Sequence, residues 1–160
     1  MKEKNGEHPF GDLGQIILLL LFLVVWVGDS FFLHKSTFLS DYVPLYIRLI
    51  ILGFTLITAI YLFRSSHFIA SRNRRHDGVV STGVFRYVRH PLYLASILSC
   101  IGLMISTLSL FSIALFVAIF IFYNYIASYE EKLLETKFGK EYIEYKKVTS
   151  KWVPRIGRLR

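Results

Sequence analysis

Arg86-Tyr87-Val88-Arg89-His90-Pro91-Leu92-Tyr93 stands at the head of two apolar blocks, residues 92–107 and 108–128. Tyr129-Glu130-Glu131-Lys132-Leu133-Leu134 stands at their foot. About 20 helical residues at 1.5 Å rise cover a hydrocarbon core of about 30 Å. If the two blocks cross a membrane down and back, the basic and acidic boxes return to one face. Ser106-Thr107-Leu108-Ser109 leaves almost no connection between them, which makes the blocks antiparallel neighbours. The first of the pair is short for a full crossing and rich in small residues (Ala95, Ser96, Ser99, Cys100, Gly102). Tilt, partial enclosure by protein or a thinned bilayer would accommodate it.

Two further blocks lie upstream, at residues 13–33 and 43–63. The first is interrupted by Gly28-Asp29-Ser30, and the second carries Arg48 near its start. The first lacks a small-x-small cleavage pattern and is long for a signal sequence, so it reads as a retained span. In a chain of 160 residues, 54% of them hydrophobic, this clustering predicts one integral membrane domain over 1–160. The expected fold is all-α and polytopic, with about four transmembrane helices, a C-terminal helical hairpin and a cytosolic amphipathic tail.

Charge gives the orientation independently. The first tail has Lys2 and Lys4, and the first connection only Lys35. The second connection has Arg64, Arg72, Arg74, Arg75, Arg86 and Arg89; the hairpin turn has no basic residue. The tail after the fourth block has Lys132, Lys137, Lys140, Lys146, Lys147, Lys151, Arg155, Arg158 and Arg160. The positive-inside rule then predicts both termini and the long middle loop in the cytoplasm. Topology and anionic headgroups account for the net charge of +8. No nucleic-acid module is present, and nucleic acid is not an expected partner. Cys100 is the one cysteine, with no Cys/His spacing for a metal.

Several positions have a functional and a plain reading. Pro91 suits the first position of a helix, whose unpaired N–H groups favour an anion. Arg89 adds a planar fork fitted to a carboxylate; the plain alternative is an arginine snorkelling at the interface. Glu130 and Glu131 oppose the dipole of a helix ending there. Either the helix continues and both are solvated, or one turns inward to hold a cation or a ribose hydroxyl pair. Glu130, Leu133, Leu134 and Phe138 keep helical spacing, and Phe138-Gly139 reads as a stop. Tyr87, Tyr93, Tyr123, Tyr125 and Tyr129 fit an aromatic belt or a cation cage. Arg48 fits snorkelling, and Asn124 fits a bond between helices. Residues 140–148 place Tyr142, Tyr145 and Val148 at three-residue intervals, as in an interfacial helix. Asp77-Gly78 and Thr82-Gly83 mark turns in a 64–88 connection that must lie on the membrane face or fold over something. Phosphate-loop, dinucleotide, metalloprotease and serine-elbow patterns are missing, which excludes soluble-type nucleotide folds.

Thr82-Gly83-Val84-Phe85-Arg86-Tyr87-Val88-Arg89-His90-Pro91-Leu92-Tyr93, followed by Glu130-Glu131-x-x-Leu134 and Phe138-Gly139-x-x-Tyr142-x-x-Tyr145, resembles the isoprenylcysteine carboxyl methyltransferase and phospholipid methyltransferase superfamily. The likeness covers residues 78–154; residues 1–77 match only as hydrophobic spans. It implies a membrane enzyme that binds S-adenosyl-L-methionine at the cytosolic face and methylates an isoprenyl-cysteine-like carboxylate or another lipid-borne acceptor. Its partners would be that lipid or isoprenoid-bearing substrate and membrane lipids, with no metal. The resemblance implies that Arg89, His90 and Tyr93 hold the methionine end of the cofactor and that Glu130 and Glu131 complete the pocket. Tyr87, Pro91 and Leu134 belong to the same boxes, and Arg89, Glu130 and Glu131 are the implied catalytic set. Ala95 stands where some members have glycine. Two alternatives remain: an NADPH-dependent membrane reductase of the sterol-reductase type, and a non-catalytic membrane protein whose boxes only set topology.

Overall fold

The computed structural model describes residues 11–72 and 78–154. Lys2, Lys4, Arg74, Arg75, Asp77, Arg155, Arg158 and Arg160 lie outside them. Five α-helices follow in order: α1 (Gly11–Val27), α2 (Leu45–Arg72), α3 (Pro91–Thr107), α4 (Leu110–Phe138) and α5 (Lys140–Val148). Three stretches are long and apolar enough to cross a membrane: Leu13–Leu33, Leu45–Arg72 and Leu110–Phe138. The 17 residues of α3 extend about 25 Å, short of the roughly 30 Å a full crossing needs.

The Gly28-Asp29-Ser30 interruption changes the helix without ending it. The chain continues as a π-helical turn, Gly28–Leu33, closed by His34 N–H donating to the Asp29 carbonyl at 2.8 Å. This wider turn directs Asp29 inward, where it is 2% exposed. Its Oδ1 accepts from the backbone N–H groups of Lys35 and Ser36 at 3.1 and 3.2 Å. Its Oδ2 accepts from the Ser36 and Ser109 hydroxyls at 2.5 and 2.6 Å. A carboxylate out of water persists only when its lone pairs are filled in this way. Trp26 Nε1 donates to the Leu103 carbonyl at 2.8 Å, and Ser30 Oγ to Thr107 Oγ1 at 2.8 Å. The far end of α1 is thereby fastened to the hairpin turn.

That turn is two residues long. Leu108 takes a left-handed conformation, φ +52°, and its N–H caps α3 on the Met104 carbonyl at 2.8 Å. Ser109 then starts α4, its hydroxyl accepting the Ser112 N–H at 3.2 Å. Arg48 is held by the end of the hairpin. Its guanidinium donates to the Val43 carbonyl at 3.1 Å and the Ser106 carbonyl at 2.7 Å, filling an acceptor in the last turn of α3.

The small residues of α3 serve α2 more than the hairpin partner. α3 packs most extensively on α2, and α1 chiefly on α4. A Cβ at Gly102 would lie 2.1 Å from Thr55 Oγ1, and one at Gly14 of α1 would lie 2.6 Å from Phe122 Cζ of α4. The absence of a side chain at each point lets two helices approach. Phe22, Ile97, Cys100, Ile119 and Tyr123 form the buried centre, drawn from α1, α3 and α4.

α4 runs past the apolar stretch to Phe138, so the helix does continue through Glu130 and Glu131. Gly139, at φ +54° and ψ −125°, breaks it in a region open to glycine. The helix that follows is not simply an interfacial one. Tyr142 of α5 is 3% exposed, and Tyr145 donates its hydroxyl proton to the Phe85 carbonyl at 2.6 Å. Among the described residues Asn124 makes no side-chain bond between spans; its Oδ1 accepts Lys151 Nζ at 2.9 Å and Trp152 Nε1 at 3.4 Å. The tail after α5 thus folds back along α4.

Candidate active site

The segment entering α3 is held from behind by that returning tail. Val88 pairs with Ser150 in an isolated parallel bridge, and the Arg89 N–H donates to the Ser150 carbonyl at 2.9 Å. His90 sits in the N-cap position and Pro91 opens the helix, where a missing N–H costs nothing. Arg89 and His90 are therefore fixed by backbone geometry before their side chains meet anything.

Their side chains converge on Glu131. Arg89 Nε donates to Glu131 Oε1 at 2.9 Å, and Nη1 donates to the Lys146 carbonyl at 3.2 Å and to the Thr149 carbonyl. His90 Nε2 lies 3.2 Å from Glu131 Oε1, and Lys146 Nζ lies 3.2 Å from Oε2 and 2.7 Å from Glu135 Oε1. The Arg89 and Glu131 side chains are 9% and 6% exposed. Burial pushes the His90 imidazole below its ordinary value, outweighing the Glu131 carboxylate that pulls it up. Because a carboxylate only accepts, neutral His90 carries its proton on Nε2 and leaves a lone pair on Nδ1. The bond to Glu135 raises Lys146, whereas burial lowers Lys151.

Glu130 faces another way. Its Oε1 accepts the Tyr93 hydroxyl at 2.5 Å, and its Oε2 lies 3.8 Å from His90 Nδ1, too far for a hydrogen bond. The rings form a ladder: His90 stacks on Tyr93 at 5.5 Å and 2°, and Tyr93 on Tyr123 at 5.5 Å and 18°. Trp152 closes the outer side, 5.9 Å from His90.

Most of these groups line a cavity of about 620 Å³, within the range of small-molecule sites. Arg89, His90, Pro91, Tyr93, Glu130 and Leu134 are all on its wall. Glu131 is not; it lies behind, tying Arg89, His90 and Lys146 together. Tyr87 is 47% exposed and off the wall. Ile16 and Leu19 of α1, Phe63 of α2 and Leu92 of α3 complete its wall with apolar side chains. Ile16 and Phe63 are 55% and 56% exposed. Gln15 and Ser96 add polar groups there.

The α1 and α2 members of this wall are not legible in the sequence boxes, because they arrive by tertiary packing. One signal was available for Gln15: an amide inside an otherwise apolar span stands at a cost that calls for a partner.

The phospholipid methyltransferase family model matches residues 45–141, from the start of α2 into α5. Protein-S-isoprenylcysteine O-methyltransferase A of Arabidopsis thaliana is 32% identical over 93 residues, 58% of this chain and 47% of that protein. Protein-S-isoprenylcysteine O-methyltransferase of Saccharomyces cerevisiae is 33% identical over 94 residues, 57% of this chain and 38% of that protein. The Schizosaccharomyces pombe protein of that name is 29% identical over 92 residues, 57% and 39% of the two chains. The chain thus spans about half, or less, of the length of the relatives it matches. The family match takes in all of α2, α3 and α4, and with them both charged boxes and the hairpin between them; on that ground the chain belongs to the phospholipid methyltransferase family.

Proposed function

We propose that this chain is a membrane-embedded methyltransferase that takes its methyl group from S-adenosyl-L-methionine and passes it to a lipid-borne carboxylate of the isoprenyl-cysteine kind. One observation carries the reading: the charged cluster shares one cavity wall with apolar side chains from helices long and apolar enough to cross a membrane. The family relatives named as methyltransferases favour it over a reductase.

The residues present fit the cofactor. Two of the three guanidinium nitrogens of Arg89 are taken by Glu131 and backbone carbonyls. The third, Nη2, is left to face a carboxylate together with the N-terminus of α3. Glu130 Oε2 and the lone pair of His90 Nδ1 flank a position suited to an ammonium. When bound, the cofactor supplies an electrophilic methyl group on positively charged sulfur.

The chain's own task is then positioning and drying. Transfer to a carboxylate annihilates two opposite charges, so excluding water does not penalise the transition state, and no group need remove a proton. Glu131 acts as a positioning residue, because it aligns Arg89 and His90 without reaching the cavity. The proposal includes a cytosolic mouth and cytoplasmic termini, supported by Arg64, Arg72, Arg86 and Arg89 in one connection and Lys132, Lys137 and Lys140 beyond α4.

The test is calorimetric titration of protein in nanodiscs with S-adenosyl-L-methionine and with NADPH, alongside labelled methyl transfer to N-acetyl-S-farnesylcysteine. Saturable binding of S-adenosyl-L-methionine only, lost in Arg89→Ala and Glu130→Ala, is the expected result. Binding of neither ligand, or of NADPH instead, overturns the proposal.

A further inference from the structure

Arg89 meets Glu131 through one nitrogen where its fork offers two. The Nε and Nη2 N–H groups of an arginine share one edge, and a carboxylate frequently takes both, one oxygen to each. Here Glu131 Oε1 accepts from Nε alone, at 2.9 Å. The second oxygen, Oε2, is turned to Lys146 Nζ at 3.2 Å. Nη1 is taken by the Lys146 and Thr149 carbonyls. Nη2 is thus left with no partner among the described residues, and it is not sealed off. It belongs to a residue on the cavity wall. Lys146 is itself held in place: its Nζ also meets Glu135 Oε1 at 2.7 Å, and its neighbour Tyr145 bonds the Phe85 carbonyl at 2.6 Å. It lies beyond the family match at 45–141, so neither charged box supplies it.

We infer that Lys146 is a positioning residue that keeps Arg89 Nη2 open for the cofactor carboxylate, by holding the second oxygen of Glu131 away from it; this rests on the methyltransferase reading above. The Glu131 side chain is 6% exposed, so an Oε2 deprived of its ammonium needs another donor. The open Nη2 belongs to the arginine already bound to Oε1, and a small rotation of the carboxylate reaches it. The two-pronged pair that forms is the geometry arginine and carboxylate favour. It would also occupy the nitrogen an incoming anion has to use. Lys146 therefore acts without touching the ligand: it spends Oε2 elsewhere, and the arginine keeps one free prong.

The measurement is equilibrium binding to the full chain in nanodiscs of S-adenosyl-L-methionine and of decarboxylated S-adenosylmethionine, which keeps the ammonium, sulfonium and adenosine and lacks the carboxylate. Wild type should prefer the first. Lys146→Met should weaken S-adenosyl-L-methionine about tenfold, as loss of one hydrogen bond to a charged group predicts, and leave the analogue within twofold. Lys146→Arg should restore the preference, and Glu135→Gln, which leaves Lys146 to Glu131 alone, should keep it. The Lys146 side chain is 39% exposed, so its pairs contribute little stability and thermal unfolding should hardly move. The loss should persist at about 1 M salt, where charges are screened beyond ~3 Å. Unchanged affinity in Lys146→Met, equal losses for the two ligands, or a loss that vanishes in salt overturns the inference. Wild type that binds both ligands equally also overturns it and leaves the methyltransferase reading standing. Wild type that binds neither strikes that reading, and the inference with it.

Discussion

Arg89 Nε donates to Glu131 Oε1 at 2.9 Å across 42 positions of sequence, because the α3–α4 hairpin returns its two ends to one rim. Both side chains are buried, so neither is solvated once its partner leaves. Glu131→Ala should cost about 3–5 kcal/mol, the usual loss when one member of a buried pair is removed. Thermal unfolding in nanodiscs reads this directly. Arg89→Ala with Glu131→Ala should unfold later than Glu131→Ala alone, since no uncompensated guanidinium remains.

Tyr93→Phe keeps the ring ladder and removes one hydrogen bond to Glu130. Its stability should change little, while affinity for S-adenosyl-L-methionine should fall by about 1 kcal/mol, or roughly fivefold. Calorimetry checks the affinity. An unchanged dissociation constant would mean that Glu130 is oriented without its tyrosine partner.

Gly102→Ala should separate α3 from α2, since its Cβ would sit 2.1 Å from Thr55 Oγ1. Overpacking of this kind costs about 1–3 kcal/mol. Thr55→Ala removes the offending oxygen, so the double variant should recover most of the loss. Melting temperatures of the three variants decide it.

His90 introduces a dependence on pH. In the unfolded chain a histidine takes up its proton near pH ~6.5, whereas the buried His90 does so only at lower pH. Between those values the unfolded state binds more protons, so stability falls as the solution is acidified below about 6.5. His90→Gln should flatten that part of the profile. Melting temperature against pH in wild type and variant gives the comparison.

Asp29→Asn replaces a carboxylate that accepts four hydrogen bonds with an amide that cannot accept them all. A loss of about 2 kcal/mol is expected, in line with hydrogen bonds to charged groups. Cofactor affinity should move by less than twofold, because Asp29 sits at the opposite end of the span from the cavity.

The hairpin and its converging boxes were legible because charge and hydropathy are local properties. Arg89, His90, Tyr93 and Glu130 needed only a topological argument to share a rim. Other positions were not legible, each for a physical reason. Arg48 fits a snorkelling residue until the end of α3 presents its carbonyls. Tyr142 and Asn124 have their partners in chain segments whose return path depends on Gly139. Glu131 and Glu130 are adjacent in sequence, yet helical rotation sends one behind the wall and the other onto it. Gln15, Ile16, Leu19 and Phe63 reach the cavity through helix packing, as at Gly14 and Gly102, which no periodicity announces.

α1 is anchored on α4 and α2 on α3, and Ile16 of the one and Phe63 of the other, both exposed, lie on the same cavity wall. Under the proposed function, a long-chain acceptor entering beside Ile16 and Phe63 would never have to leave the oily layer. It would find the protein by two-dimensional search, dock headgroup-first toward Arg89, and keep its tail among neighbouring acyl chains throughout. Turnover would then follow the acceptor's surface density, expressed per lipid, and stay indifferent to its amount per litre of buffer.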